Sequence, residues 1–307
     1  MTPRVSALIV SYRSRDALDH CLPSLAACRE RIPLETIVVD NASADGTAEW
    51  IQAHHPWVQV ITSERNEGYA CGVDRAAEHA HGAALLVLNP DCVVSAPGLE
   101  RLLRALDSQP DLAAAAPALC DDHGVVARSC GRFPSLWSLM CDHLGPARWW
   151  PSTAAFGGYK YGEQPMAALR QVDWASGAAL LIPRGAWERV GEFDRGIFMY
   201  MEEVDWCLRA AASGLLVRYV PEAQFVHSGQ RSSSQALTRS YLHNLRARVY
   251  YFRKHHGRGA AEAARAVLLV SLVAKWLVTC LRQGARAAKV YALGMRAVWE
   301  PPQGQPT

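Results

Sequence analysis

Several familiar signals are missing from this chain of 307 residues. Its nine cysteines, scattered from Cys21 to Cys280, contain no C-x-x-C pair. That spacing speaks against a zinc knuckle or a dithiol centre, and free thiols in a reducing compartment are expected. The segment Asn66-Glu-Gly-Tyr-Ala-Cys-Gly72 matches neither G-x-G-x-x-G nor G-x-x-x-x-G-K-[ST], which counts against dinucleotide dehydrogenases and P-loop enzymes. The first apolar stretch, Val5 to Val10, is interrupted by Ser6 and is too short for a secretory signal, so a cytoplasmic location is expected. Near the C-terminus the longest charge-free stretch, Ala266 to Ala274, falls below the ~18 residues of a spanning helix. Internal repeats and low-complexity segments are also absent.

Half of the residues are apolar, enough for a sizeable globular core. The formal charge of +3 conceals an asymmetry. Between Arg239 and Arg296 twelve Lys or Arg face the single acid Glu262, a local +11 that leaves −8 for the rest. Such a tail suits an anionic partner. Its residues Ser271, Lys275, Thr279, Arg282, Arg286 and Lys289 recur at helical spacing, which predicts one polar stripe opposite an apolar face. This pattern fits a helix lying in a membrane interface better than a nucleic-acid binder.

The first third alternates short apolar runs with amphipathic stretches: strands over 5–12, 36–40, 58–62 and 84–88, and helices over 16–31, 46–54 and 68–81. That alternation predicts a parallel α/β sheet. Ligands of such sheets bind beyond the carboxyl ends of the strands, so Ser11 and Tyr12, Asp40 and Asn41, and Asn89 to Asp91 should converge on one crevice. Periodicity fades from 119 to 172, where loops over the sheet are expected. Order returns with strands over 178–183 and 216–220 and a helix over about 202–213.

Three polar groupings could carry chemistry. Leu85-Leu-Val-Leu-Asn-Pro-Asp91 ends a strand in a carboxylate, as a hard divalent cation requires; a turn in which Asp91 caps the helix near Pro97 is the alternative. Met201-Glu-Glu-Val-Asp-Trp-Cys-Leu-Arg209 sets Glu202, Glu203 and Asp205 on a helix whose Val204, Leu208 and Ala211 form the apolar face. One of these acids could take a proton from a hydroxyl, or all three could be a solvated first turn at the positive dipole end. His227, after Phe225-Val226, stands at a strand end as a ligand or as a structural histidine. The glycines of 66–72 let a backbone approach phosphate at a helix start.

Taken in order, Val10-Ser-Tyr-Arg-Ser14, Val38-Val-Asp-Asn-Ala-Ser43, Asn66-Glu-Gly-Tyr69, Leu88-Asn-Pro-Asp91 and Glu202-Glu-Val-Asp205 resemble the inverting family-2 glycosyltransferases, in their rhamnosyltransferase-like branch. The resemblance spans roughly 4–255. It implies the GT-A nucleotide-diphospho-sugar fold, a mostly parallel central sheet flanked by helices, followed here by the amphipathic helical tail. The catalytic domain is expected over 1–238, with a nucleotide-binding half to about 117 and an acceptor half over 118–238, and the tail over 239–307.

The same resemblance implies roles. Tyr12 would lie near the nucleobase and Asp40 on the base or ribose, with Ser11, Asn41, Asn66, Gly68 and Asn89 lining the donor pocket. Asp91 matches the last acid of the family's metal-binding D-x-D, whose first acid is Asn89 here, and His227 matches the histidine that completes the coordination of Mg2+ or Mn2+. Glu203 matches the catalytic base, usually Asp, with Asp205 and Glu202 as alternates. Trp174-Ala-Ser-Gly177 resembles the segment between donor and acceptor, Gly177 leaving room for the sugar.

The implied reaction is a single displacement from a nucleoside-diphosphate sugar onto an acceptor hydroxyl. Deoxythymidine-diphospho-rhamnose is the donor the resemblance suggests, although neither sugar nor acceptor is legible in the residues themselves. A cell-surface glycan precursor or a polyprenyl-diphosphate-linked acceptor at the inner face of the membrane is the expected partner, nucleic acid is not, and no oligomeric state is legible. A non-catalytic sugar-nucleotide scaffold and a nucleotidyltransferase are the rivals; the latter needs a glycine-rich first loop that Ser11-Tyr-Arg-Ser-Arg15 lacks.

Overall fold

The computed structural model describes residues 2–151, 153, 155–160, 166, 171–228 and 234–301. The chain opens with β1 (Val5–Ser11), α1 (Arg15–Arg29), β2 (Leu34–Asp40), α2 (Thr47–His54), β3 (Gln59–Thr62), α3 (Tyr69–Glu78) and β4 (Ala84–Leu88). There follow β5 (Cys92–Val93), α4 (Ala96–Ser108), β6 (Leu112–Cys120), β7 (Cys130–Gly131), α5 (Leu136–Leu144) and α6 (Pro146–Trp149). The remainder comprises β8 (Gln171–Val172), β9 (Trp174–Ala175), β10 (Ala179–Pro183), α7 (Arg184–Val190), α8 (Glu202–Ala212), β11 (Leu216–His227), α9 (Ser234–Gln283) and α10 (Lys289–Ala297).

Two units emerge: Met1–Gly131 with Pro165–Asp194 and Glu203–Gln230, and Arg132–Gln164 with Arg195–Glu202 and Arg231–Thr307. This division differs from a boundary at 238. The segment 132–164 groups with the tail because α5 packs on α9.

In the first unit a nine-stranded sheet runs β3-β2-β1-β4-β10-β6-β11-β5, with β8 on the outside of β11. The first four strands of that order are parallel, as their continuous apolar runs require. β10 then enters antiparallel between β4 and β6, and β11 returns parallel to β6. The core lies along β1, β2, β4 and β10 beneath α1 and α4, with Ile9, Leu22, Leu86, Leu99 and Leu181 all fully buried. Helix α3 approaches β1 closely because Gly72 has no side chain: a Cβ there would come within 2.7 Å of Val10 Cγ1.

Strand β6, Leu-Ala-Ala-Ala-Ala-Pro-Ala-Leu-Cys, carries helix-favouring alanines and was not legible as a strand. Burial on both sides overrides that propensity. Pro117, which has no N–H for the ladder, faces a break in β11: Val220 pairs with Pro117 and the next pair is Gln224 with Ala118, so three extra residues bulge out.

In the second unit the described residues of the segment expected as loops include helices α5 and α6, α5 closing its N-terminus with a Ser135/Ser138 capping box. Helix α9 breaks at Gly257, whose φ of 84° and ψ of 179° no continuing helix adopts. Helix α10 packs against α9, and a Cβ on Gly294 would meet Leu272 and Leu245 at 3.0 and 3.1 Å. Two expectations for the tail change. Ser271 is buried, and α9 stops before Gly284 (φ 86°), so Arg286 and Lys289 lie beyond it and the polar stripe does not run on. Moreover, Leu237–Gln283 is long and apolar enough to cross a membrane by length and composition. Residues 302–307 of the expected tail lie outside the described residues.

Candidate active site

The register of the parallel strands builds the crevice. Ser11 pairs with Asp40 across β1 and β2, and Ile9 pairs with Leu88 across β1 and β4, so the three strands end side by side. Tyr12, Asp40–Asn41 and Asn89–Asp91 thus leave one sheet edge, as expected. Past the ends of β1 and β2 the backbone enters the left-handed region at Arg13 (φ 54°), Ala42 (φ 62°) and Ala44 (φ 51°). Such strain persists only where surroundings over-determine it, and it clusters at functional sites. Here Ser43 is the fastener: its Oγ donates to Asp40 Oδ1 and accepts from the Arg13 amide at 2.8 Å.

Individual residues of the donor side divide into exposed and buried. Tyr12 is 39% exposed and offers a ring to a ligand. Ser11 is wholly buried, its Oγ without a hydrogen-bond partner among the described residues, so its side chain faces the interior and the expected nucleotide contact is corrected. Asn41 is also buried. Its amide donates to Asn66 Oδ1 at 3.0 Å and to the Gly68 carbonyl at 2.9 Å, and its Oδ1 accepts from Glu67 N at 3.1 Å. Asn41 therefore shapes the Asn66–Gly68 loop. Arg75 braces the same loop, donating to Ser63 Oγ and Glu67 Oε2, both at 2.6 Å. Nothing in local sequence spacing marks Arg75 or Asn41 for these tasks.

The turn after β4 meets the end of β11. His227 pairs with Cys92 in the ladder between β11 and β5, and His227 Nε2 lies 3.2 Å from Asp91 Oδ1 although 136 positions separate the two residues. The cap of α4 is Ser95, whose Oγ accepts from Gly98 N at 3.2 Å, so Asp91 does not cap that helix and the cap reading falls. A carboxylate oxygen and an imidazole nitrogen at this separation suit neighbouring ligands on one small divalent ion, which with ~2.1 Å bonds stand about 3 Å apart. Cys92 Sγ belongs to the same cluster. However, burial and then the Asp91 charge push its thiol well above the usual range, and it donates to the Ala178 carbonyl at 3.1 Å, so it remains a thiol within the core. Among the described residues of this cluster, Asp91 and His227 are those whose side chains could hold a metal.

The segment 174–178 ties these parts to α8. Ala178 O accepts from Asn89 N at 2.9 Å, and Tyr69 Oη donates to Gly177 O at 3.0 Å. A Cβ on Gly177 would stand 3.6 Å from Glu203 Cβ and 3.8 Å from Tyr69 Cε1, ordinary contacts. Glu203 is thus seated beside Gly177 and Tyr69, at the segment that also holds the Asn89–Cys92 turn. Tyr69, the last residue of the Asn66-Glu-Gly-Tyr69 motif, was not singled out.

Three site expectations are corrected. Trp174 is 4% exposed, in the β9 position opposite Gly131, so its indole supports the segment from within and offers no face to an acceptor. Asp205 is 0% exposed and accepts from Arg209 Nε at 3.0 Å, while that guanidinium also donates to the carbonyls of Val190 and Glu192. This ion pair stands one turn apart on α8 and secures the helix, so Asp205 is not an available base. Glu202 is likewise buried, and the acids are not a solvated turn. The apolar face is also broader than Val204, Leu208 and Ala211: Trp206, Cys207 and Ala210 are buried and Ala211 is exposed.

Comparison with known proteins agrees with this geometry. The family model described as glycosyl transferase family 2 matches residues 6–161, just over half of the chain. A Mycobacterium tuberculosis N-acetylglucosaminyl-diphospho-decaprenol L-rhamnosyltransferase is 33% identical over 247 residues, covering 76% of this chain and 79% of its own. A low-salt glycan biosynthesis hexosyltransferase of Haloferax volcanii is 22% identical over 232 residues, covering 74% and 68%. Among solved structures, a mannosyltransferase from Pyrobaculum calidifontis in complex with GDP-Man and Mn2+ superposes with a TM-score of 0.57 at 17% identity, covering 97% of this chain and 87% of that one. Strand ends, sheet order and family match converge: the chain belongs to glycosyl transferase family 2, a glycosyltransferase on the GT-A fold.

Proposed function

We propose that this enzyme transfers a sugar, rhamnose or a close relative, from a nucleoside-diphosphate donor to a hydroxyl of a polyprenyl-diphosphate-linked glycan precursor, inverting the anomeric centre. The observation that carries this reading is the meeting of Asp91 with His227 beside the segment that seats Glu203. The relative from M. tuberculosis, whose name specifies both an L-rhamnosyl group and a decaprenyl-diphosphate acceptor, supports the choice of substrates.

In this mechanism Tyr12 stacks on the nucleobase, Asp40, buried and bonded to Ser43, fixes the turn beside the base or ribose, and the Asn66–Gly68 loop, held by Asn41 and Arg75, lines the donor pocket beside Asn89. Asp91 and His227 would hold Mg2+ or Mn2+, which when bound would supply positive charge beside the diphosphate. Glu203 takes the proton of the acceptor hydroxyl as that oxygen attacks. Gly177 and Tyr69 set the distance between the two substrates. The enzyme works at the cytoplasmic face of an anionic membrane, to which the basic tail draws it.

Thermal-shift titration with a panel of nucleoside diphosphates, with and without Mn2+, tests the donor site. One nucleotide should stabilise the wild type only when Mn2+ is present, and Asp91→Ala and His227→Ala should each abolish that Mn2+-dependent stabilisation. Equal stabilisation without metal, or an undiminished response in Asp91→Ala, would refute the metal assignment.

A further inference from the structure

The large apolar side chains that remain exposed are unevenly shared. Among the described residues, Tyr12, Val125 and Val126 are those of the first unit, whereas the second and smaller unit displays twelve. They follow helical periods. Val270, Val273, Leu277 and Leu281 recur at spacings of three and four on α9, a stripe about 16 Å long at 1.5 Å per residue. Leu281 is 86% exposed. The opposite side of the same helix, Ala261, Ala264, Leu268 and Leu272, is buried, so α9 is apolar on a packed face and on an open one. Helix α5, which packs on α9, repeats the pattern with Trp137, Met140 and Leu144 exposed.

An aromatic cluster extends this second stripe. Trp149, 67% exposed, packs edge-on to Trp150 with centroids 5.9 Å apart, and Phe156 lies 5.6 Å from Trp150 and 5.7 Å from Trp137. Soluble surfaces rarely carry apolar side chains grouped so densely unless something covers them. The surrounding charge identifies the cover. From Ala263 to Trp299 there are six cations, Arg265, Lys275, Arg282, Arg286, Lys289 and Arg296, and no acid. A cavity of about 460 Å³ in the same unit is lined by Arg246, Arg253, Lys254, Arg265 and Glu300; Arg246 is ion-paired with Glu300 and Arg265 with Glu262, so Arg253 and Lys254 are the cations that would meet a phosphate there. Tryptophan rings with cationic neighbours are the composition that settles at the boundary of headgroups and acyl chains.

We infer that the second unit is a two-part membrane platform for an anionic bilayer, in which the Trp137–Trp150 segment, lying outside the basic tail, enters the lipid together with the open face of α9. The cavity receives a lipid phosphate. This rests on the reading of a lipid-linked acceptor and adds which residues meet the lipid.

Vesicle sedimentation of the full chain tests the platform, with phosphatidylcholine alone and with phosphatidylglycerol added. Trp149→Ser/Trp150→Ser and Leu277→Gln/Leu281→Gln should each weaken binding to both vesicle types about tenfold without lowering the Tm. Arg253→Ser/Lys254→Ser should erase the preference for anionic vesicles. Full binding by the tryptophan variant overturns the inference and leaves tail-only attachment standing. A wild type that binds neither vesicle overturns both. Light scattering that shows a dimer dissolved by the leucine variant assigns the face to a second copy and also overturns it.

Discussion

Asp205 in the first unit is a charged side chain sealed from water beside Arg209, whereas Leu281 in the second is an apolar one left almost wholly in water. The contrast extends through both regions. The first unit buries Asp40, Asp74 and Asp205 and gives each a partner, Ser43, the Phe193 amide and Arg209 respectively. Buried polar groups of this kind cost stability unless satisfied, and their reward is a fixed crevice. The second unit buries Arg248, which donates to Asn244 Oδ1 and Tyr159 Oη, yet leaves apolar faces of α5 and α9 open; on the inference above, the partner of those faces is a surface rather than a core. On the proposed roles, catalysis and anchoring draw on different residues, and substitutions should separate them.

The largest effect is expected at the crevice. Glu203→Gln should lower turnover by about a thousandfold while nucleotide-dependent thermal stabilisation persists; near-normal product in a discontinuous transfer assay would exclude Glu203 as the base. Next, Asp205→Asn leaves Arg209 without its buried partner and should cost about 3 kcal/mol in denaturant unfolding. A loss below ~1 kcal/mol would break the view that buried charge holds this unit together.

Acid should act chiefly on the second unit. Burial, then Arg248 and Lys275, hold His143 down to about 3, and burial, then Arg246 and Arg239, hold His243 down to about 4. The unfolded chain takes up these protons first, near its ordinary ~6.5. Stability is thus complete above about pH 6.5 and declines as pH falls from there towards 4. His143→Gln/His243→Gln should flatten the fall of Tm between those limits, and an unchanged slope would refute it. The smallest change belongs to the open face of α9: Leu277→Gln/Leu281→Gln should alter unfolding free energy by no more than ~0.5 kcal/mol. A larger loss would mean that this face is packed after all.

Local pattern and the order of motifs carried much of this protein. The runs ending at Ser11, Asp40 and Leu88 are apolar without interruption, which dictates parallel buried strands whose polar successors share an edge. Five short motifs in register pointed to the family. Alanine-rich β6, by contrast, carries no strand signal of its own and burial on both faces decides it, and α5 lies where periodicity had faded. The meeting of Asp91 with His227 depends on β11 bulging opposite Pro117 and closing on β5, a pairing that no spacing encodes. Likewise the motif singles out Glu203 among the three acids, but only packing assigns Asp205 to Arg209 and sets Glu203 beside Gly177. Propensity and periodicity act over one or two turns and are written in the chain. Which acid is sealed, which apolar face is left open and which distant ligands meet are set by long-range contacts that exist only once the sheet has formed.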